Sequence, residues 1–195
     1  MDKRLSILGT RGIPATHGGF ETFAEDLSVY LTARGWHVTV YCQDDHGWRV
    51  REAEWCGIRL VHVPAPDGGS LPTVLFDARS TLHACRQDGL VLVLGYNTAL
   101  FSCLYRLVRK VNLLNVDGLE WQRRKYNRFE RAWLRLNERL GCLFANHLIA
   151  DHPELCTASH LRDSRHCTVI PYGALSIERA DVSVLERFGV APGRY

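Results

Sequence analysis

Short segments of consecutive apolar residues alternate with helical patterns along this chain, and that alternation constrains the fold more than any other feature. The segment LVLVL, residues 90–94, is apolar at every position, as is typical of a strand covered on both faces of a parallel sheet. Seven such strands are predicted, at residues 4–8, 38–41, 58–63, 90–94, 112–115, 147–150 and 168–171. The pattern predicts the α/β class, with a doubly wound, mostly parallel sheet and right-handed crossovers.

Helical patterns separate most of these strands. One predicted helix has an apolar face made of Phe20, Phe23, Leu27, Tyr30 and Leu31, and Gly35 ends it. Leu100, Leu104, Leu107 and Val108 mark a second helix, and a short one follows Pro153. The longest begins at the predicted cap of Asn127 and Glu130, and its apolar stripe consists of Phe129, Trp133, Leu136, Leu140 and Phe144.

Two segments depart from the alternation. Cys56 and Gly57 are predicted to form the bend of a small hairpin within REAEWCGIRLVHV, residues 51–63. The segment PAPDGGSLPTV, residues 64–74, is rich in proline and glycine and is predicted to be an internal loop.

Composition narrows the class of protein. A chain of 195 residues with 46% hydrophobic residues buries one sizeable core. Its 24 basic and 21 acidic residues give a formal charge of +3, which is too small to favour a nucleic acid as partner. Seven scattered cysteines without a C-x-x-C pair favour reduced, buried thiols over disulfides. The amino terminus reads as a first strand and not as a signal peptide, and no segment approaches the roughly 18 apolar residues of a membrane span. We therefore expect a cytoplasmic protein, which could still contact a membrane surface.

The loop after the first strand is the strongest candidate for a ligand site. GTRGIPATHGGF, residues 9–20, lies where the carboxyl end of a parallel strand meets a helix start. Glycines let a ligand approach the backbone there, and the free amides and dipole of the helix suit a phosphate. The chain lacks both G-x-G-x-x-G in this loop and a lysine-containing P-loop, which disfavours a nicotinamide dehydrogenase and a P-loop NTPase. On the glycines alone, phosphate binding and a merely tight structural turn remain equal alternatives.

Three motifs together resemble a known family. They are GTRGIPATHGGFETFAEDLS at residues 9–28, NVDGLEWQRRKYN at residues 115–127 and IPYG at residues 170–173. They resemble the amino-terminal half of glycosyltransferase family 4, in particular a rhamnosyltransferase-like subgroup with a G-x-R-G-I-P-x-x-x-G-G-x-E loop. The resemblance implies one Rossmann-like half of a GT-B architecture. Residues 1–175 would form the acceptor-side domain, and residues 176–195 a linker and the start of a donor-binding domain.

The resemblance also implies site residues. Gly18 and Gly19 would receive the donor diphosphate through their backbone amides, and Arg11 would contact a phosphate or a carboxylate unless it is a solvated loop residue. His17 lies beside the two glycines, either approaching the cleft or packing the loop. Asp117 stands near the point where many family members have a histidine that touches the donor sugar. It would serve as the catalytic residue by binding sugar hydroxyls.

The motif around Asp117 leaves two alternatives open. Glu120 would orient an acceptor substrate, or it would instead pair with Arg123 or Arg124. Asp117 and Gly118 would in that case simply form a turn.

The implied activity is retaining transfer of a sugar from a nucleotide-diphosphate donor to a polysaccharide or glycolipid, and a deoxysugar such as rhamnose is one candidate for that sugar. No metal or cofactor is expected. The family's diphosphate-binding basic pair and its E-x7-E carboxylates lie in the second domain, so the chain alone is expected to be inactive. The rival hypothesis is a non-catalytic binding module for a phosphorylated ligand or a protein partner.

Two smaller signals remain. Arg123, Arg124, Lys125, Arg128, Arg131, Arg135 and Arg139 border the apolar stripe of the longest helix. Such a helix could lie on anionic lipid at the inner face of a membrane, or its stripe could pack on the sheet with the arginines in solvent. His152, Cys156 and His160 recur every four residues as soft metal ligands could, although no fourth ligand is evident.

Overall fold

The structure, a computed structural model, describes residues 3–16, 18–66, 69–157, 167–173 and 188–189. The first half contains β1 (Arg4–Leu8), α1 (Gly19–Thr32), β2 (His37–Asp44), β3 (Arg51–Trp55), β4 (Ile58–Pro64) and α2 (Ser70–Ala84). The second half contains β5 (Leu90–Leu94), α3 (Ser102–Leu107), β6 (Asn112–Val116), α4 (Arg128–Phe144), β7 (His147–Ala150), α5 (Pro153–Thr157) and β8 (Cys167–Val169). Short 3-10 turns at Ala99–Phe101 and Glu120–Gln122 precede α3 and α4.

The eight strands form one sheet in the order β3-β4-β2-β1-β5-β6-β7-β8. Every pair is parallel except β3 with β4, which is antiparallel. The strand order reverses between β1 and β5, which is the topological switch point where doubly wound sheets bind ligands. The predicted fold class is therefore confirmed, and all seven predicted strands are present with nearly the predicted bounds.

Helices cover both faces of the sheet. The aromatic and aliphatic side chains of α1 pack against a cluster that includes Ile7, Val40 and Leu92. On the opposite face, Phe76 of α2 and Tyr105 of α3 pack against one cluster, and Leu134 of α4 belongs to another. Strands such as β5 and β6 thus bury side chains on both faces, which explains why their sequences are apolar at consecutive positions.

The predicted hairpin is present. Trp55 pairs with Ile58 across the turn, and Cys56 and Gly57 both adopt the left-handed backbone conformation, with φ of 51° and 75°. Cys56 is exposed there, whereas Cys42 is the cysteine that the core fully buries.

The prediction of a loop over residues 64–74 is wrong for its second half, because α2 begins at Ser70. Pro72 lies in the first turn of this helix, where its missing amide hydrogen costs no hydrogen bond. The buried face of α2 consists of Phe76, Ser80, Thr81 and Ala84. With a single large apolar residue on that face, the periodicity of the helix is too weak to recognise in the sequence.

The longest helix, α4, begins as predicted. The Asn127 side chain accepts from the Glu130 amide, and the Glu130 side chain accepts from the Asn127 amide, which completes a capping box. Its orientation contradicts the expectation that the apolar stripe packs on the sheet, because the buried residues are Leu134, Asn137, Glu138 and Gly141.

Hydrogen bonds explain why α4 buries polar side chains. Asn137 accepts from the Leu100 amide at 2.9 Å, and Glu138 accepts from the Trp121 indole nitrogen at 2.9 Å. These bonds offset the cost of removing the two polar groups from water. The apolar stripe is consequently turned outward, with Phe129, Trp133 and Leu136 exposed.

Candidate functional site

The glycine-rich loop after β1 is shaped by close packing at its beginning. Gly9 and Gly12 have positive φ of 83° and 128°. A Cβ on Gly9 would overlap the backbone of Leu94 in β5, and a Cβ on Gly12 would overlap Cys42 in β2. These two glycines therefore let the loop cross the ends of the neighbouring strands, which is a structural role.

The second pair of glycines forms the start of α1. Gly18 is the residue before the helix, with φ of 96°, and no side chain caps the helix at that position. Gly19 has open space where a side chain would be. The amides of the first turn have no partner within the helix, so this end of α1 presents donors and a positive dipole.

One carboxylate is already close to these amides. Glu21 in the first turn of α1 accepts a hydrogen bond from the backbone amide of Arg11 at 3.0 Å. A Cβ added to Gly18 would fall on the same carboxylate. Glu21 thus folds over the loop, stabilises its conformation and leaves Gly19 as the more open of the two glycines.

Asp117 lies at the end of β6, on the same edge of the sheet. It is half-buried, and loss of hydration raises the pKa of its carboxyl group, with smaller contributions from the negative charges of Glu120 and Asp151. Arg123 opposes this shift. Gly118 follows with φ of 61°, so the turn that the sequence allowed at this position is present.

The side chain of Glu120 is held by its own neighbours. It is buried, forms an ion pair with Arg123 at 2.7 Å and accepts from the Tyr126 hydroxyl at 3.2 Å. Its backbone amide donates to the Tyr96 hydroxyl at 2.7 Å. The pairing with Arg123 is one of the two alternatives that the sequence left open for Glu120, and its role toward a substrate stays a prediction.

A crevice of about 310 Å³ joins these parts. Its lining residues are Gly18, Gly19, Phe20, Glu21, Asp117 and Tyr172. The structure therefore brings together three residues predicted from the sequence, namely the two glycines and Asp117. The glycine turn faces an open space and is not enclosed in the core.

Tyr172 was not singled out as a site residue by the sequence. Its hydroxyl accepts from the Asn115 side-chain amide at 3.3 Å, and its ring meets Phe23 of α1 edge to face at 5.5 Å. The tyrosine thereby bridges the end of β6 and the first turns of α1. The signal for it was the motif IPYG, which follows the last strand.

Two hydrogen-bond acceptors near Asp117 are buried and belong to residues that do not line the crevice. Asn115 Oδ1 and Asp151 Oδ1 are buried and have no hydrogen-bond partner within the part of the chain that the structure describes. Val116 and Ala150 are paired in the sheet, so Asp117 and Asp151 follow adjacent strand ends. Of these neighbouring groups Asp117 lines the crevice, where a carboxylate can accept hydrogen bonds from a ligand such as a sugar hydroxyl.

The remaining predicted residues lie apart from this crevice or outside the described residues. Arg11 is exposed on the loop and is not among the lining residues. His17 lies outside the described residues, as does His160 of the possible metal set. In the described ranges no three His, Cys, Asp or Glu side chains are grouped to hold a metal ion. No helix formed by the described residues is long and apolar enough to cross a bilayer.

Comparison with known proteins gives a family and a fold. The family model "Domain of unknown function (DUF1972)" matches residues 2–175. No curated protein matches the sequence.

Solved structures share the fold at low identity. Sucrose-phosphate synthase from Thermosynechococcus elongatus matches with a TM-score of 0.58 and 14% identity, over 95% of this chain and 95% of that one. UGT89C1 from Arabidopsis thaliana, complexed with UDP-L-rhamnose, matches with a TM-score of 0.56 and 10% identity, over 98% of this chain and 55% of that one. An E. coli structure described as trehalose-6-phosphate bound with UDP-2-fluoro glucose matches with a TM-score of 0.50 and 12% identity, over 77% and 40%.

These matches establish a Rossmann-like α/β fold. The chain spans about half the length of the Arabidopsis protein and less than half of the E. coli one.

Proposed function

The chain belongs to the family described as "Domain of unknown function (DUF1972)", and we propose that it is the acceptor-side lobe of a GT-B glycosyltransferase. The support is its Rossmann-like fold together with a crevice that opens at the strand ends. The whole enzyme transfers a sugar from a nucleotide-diphosphate donor, with retention, to a polysaccharide or glycolipid in the cytoplasm. Residues 1–175 form the lobe, and residues 176–195 lead toward a donor-binding domain. Retention and a deoxysugar such as rhamnose follow from the resemblance to glycosyltransferase family 4.

The observation that carries this proposal is the placement of Gly18 and Gly19 opposite Asp117 and Tyr172 across one crevice. Amides at the start of α1 face the diphosphate when a second lobe closes, because unpaired amides and the helix dipole favour an anion. Arg11 and His17 take the role of substrate-binding residues that the family resemblance implies.

On the other side of the crevice, Asp117 accepts hydrogen bonds from sugar hydroxyls. Glu120 orients the acceptor substrate in this proposal, although its carboxylate is already paired with Arg123 at 2.7 Å. Retaining transfer of this kind is mainly positioning and electrostatic stabilisation, so the lobe contributes geometry and not a covalent nucleophile.

The test is an assay of the longest natural protein that contains this chain, with a panel of nucleotide sugars. With the donor and acceptor that support transfer, Asp117→Asn should lower kcat/KM by about tenfold or more. The reason is that a charge-assisted hydrogen bond to the substrate is lost. Asp26→Asn, at an exposed position on α1, is the matched control and should retain activity. Equal activity of the two variants would contradict the role of Asp117.

The two glycines supply a second arm of the assay. Gly19→Ala should fold normally, since a methyl group there enters open space, and should raise KM for the donor. Gly18→Ala should lower the melting temperature, because its φ of 96° and the Glu21 carboxylate both oppose a side chain. If no sugar nucleotide supports transfer while the 195-residue chain binds a phosphorylated ligand tightly, the non-catalytic binding module would be the better function.

A further inference from the structure

The outward apolar face of α4 is largely exposed in the described part of the chain, and its contact with another segment is the Trp133 indole nitrogen donating to the Asn97 carbonyl at 2.9 Å. Phe129 is 88% exposed, Leu143 is 65% exposed, and Leu136 and Trp133 are exposed between them. These residues recur at helical spacing, so they form one strip along the outside of the helix. The core side of the same helix is already occupied by Leu134 and its polar neighbours.

The start of α2 extends this apolar surface. Leu71 is 78% exposed, and Leu75 is exposed one turn later. A groove of about 670 Å³ lies between the starts of α2 and α4, and Leu71, Val74, Phe129 and Trp133 are among its lining residues. We call these exposed side chains of α2 and α4 together the α2–α4 face. A contiguous exposed apolar surface of this kind usually marks an interaction site.

Positive charge borders the α2–α4 face. Seven basic residues lie between residues 123 and 139, against only two acidic ones, whereas the net charge of the whole chain is +3. Arg128, Arg135 and Arg139 are exposed on α4, and Arg124 and Lys125 are exposed just before it. One of the two acidic residues, Glu138, is buried and bonded to Trp121, so it does not offset this charge at the surface.

We propose that the α2–α4 face rests on an anionic lipid bilayer. Exposed aromatic and aliphatic side chains bordered by arginines are the arrangement that binds at a lipid interface, where apolar groups enter the acyl boundary and cations meet the headgroups. A two-fold dimer through this face would place the same arginines against one another, which disfavours a second copy as occupant. The inference goes beyond sugar transfer and holds whether or not the crevice is catalytic.

The position of the face gives the contact a consequence. Helices α2 and α4 both begin at the edge of the sheet where parallel strands end, and the crevice of Gly19 and Asp117 opens at the same edge. The two features share this edge but not a face of the sheet, because α1 covers the face opposite to α2 and α4. If the proposed function holds, a lipid-linked acceptor passes around this edge from the bilayer to the crevice.

The test is co-sedimentation of the chain with phosphatidylglycerol vesicles, compared with phosphatidylcholine vesicles. The chain should bind the anionic vesicles, and raising the ionic strength to about 1 M should weaken the binding, because charges are then screened within about 3 Å. Leu71→Ser and Phe129→Ser should each lower the partition coefficient by about tenfold, since each removes a large apolar group. Arg128→Gln and Arg135→Gln should each lower it about fivefold.

Matched controls lie away from the α2–α4 face. Leu107 is 78% exposed at the end of α3, and Arg86 is exposed just after α2, so Leu107→Ser and Arg86→Gln should bind as the unchanged chain does. Circular dichroism melts would verify that every variant is folded. Absence of binding to anionic vesicles, or equal binding by Phe129→Ser and Leu107→Ser, would overturn the proposal. A dimer that Phe129→Ser dissociates, without vesicle binding, would assign the face to a second copy.

Discussion

At the residue scale, the candidate site combines positions that the sequence identifies with positions that only the fold brings together. Gly18, Gly19 and Asp117 could be predicted, because each follows a strand and belongs to a motif. Tyr172 could not, since its contact with Asn115 joins residues 57 positions apart. The raised pKa of Asp117 could not be predicted from the sequence either. One of its causes is the charge of Asp151, which the pairing of β6 with β7 brings close.

Asp77 on α2 is a half-buried carboxyl group that the proposed chemistry does not use. Burial raises its pKa to about 6 from an ordinary value of 3.8, and the Thr98 hydroxyl donates to it at 2.7 Å, which opposes the shift. Because the folded state binds the proton more tightly than the unfolded state, the stability that Asp77 contributes is present at low pH. It is lost as the pH rises through about 6.

Asp77→Asn removes this titration while keeping an oxygen to accept from Thr98. We expect the variant to gain up to about 2 kcal/mol in free energy of unfolding at about pH 7.5, and to gain little near pH 4. Urea unfolding at the two pH values measures the difference. Asp26→Asn, an exposed substitution on α1, controls for the general loss of one carboxylate. A gain that is the same at both pH values would contradict the buried charge as its cause.

At the element scale, the strands were predictable and the helices only partly so. Strands buried on both faces must be apolar at consecutive residues, and that pattern survives in the sequence of β5. The first turn of α4 was predictable because a capping box is local. The orientation of α4 was not, because Trp121 and Leu100, which satisfy Glu138 and Asn137, lie outside the helix. Hydrogen bonds across elements decided which face of the helix is buried.

The capping box of α4 allows a direct test of the local prediction. Asn127→Ala removes the oxygen that accepts from the Glu130 amide at 2.9 Å, while the Asn127 backbone amide can still donate to Glu130. We expect a loss of about 1 kcal/mol in free energy of unfolding, measured by chemical denaturation. Asn127→Ser keeps an accepting oxygen and should lose much less. If both variants were equally unstable, packing of the Asn127 side chain, and not capping, would be the cause.

At the scale of the whole molecule, the topology explains why one edge holds every candidate feature. Parallel strands end at the same edge, so the loops after β1 and β6 and the segment after β8 meet there, as do the starts of α2 and α4. The sequence predicted this convergence because it predicted parallel strands.

The same edge carries both amide donors, which attract anions, and carboxylates, which repel them. This combination determines how strongly the chain alone binds a diphosphate. Amides at the start of α1 favour a diphosphate, but Glu21 lies beside them, and Asp117 lines the other side of the crevice. We therefore expect the 195-residue chain to bind nucleoside diphosphates with a Kd of about 1 mM or weaker, measured by isothermal titration calorimetry. Affinity in the micromolar range would mean that the donor site lies in this lobe.

A substitution at Glu21 distinguishes weak binding of a diphosphate at the start of α1 from the absence of a diphosphate site there. Because its carboxylate repels an anion at the helix start, Glu21→Gln should strengthen diphosphate binding by about twofold to fivefold while still accepting from the Arg11 amide. Glu54→Gln, exposed on β3 at the other side of the sheet, removes the same charge far from the crevice and should leave the affinity unchanged. An equal response of the two variants would reduce the effect to net charge. A response confined to Glu21 would locate the diphosphate at the Gly18–Gly19 turn even where the affinity is low. The reason is that salt screens the repulsion between one carboxylate and an anion that is bound far from it.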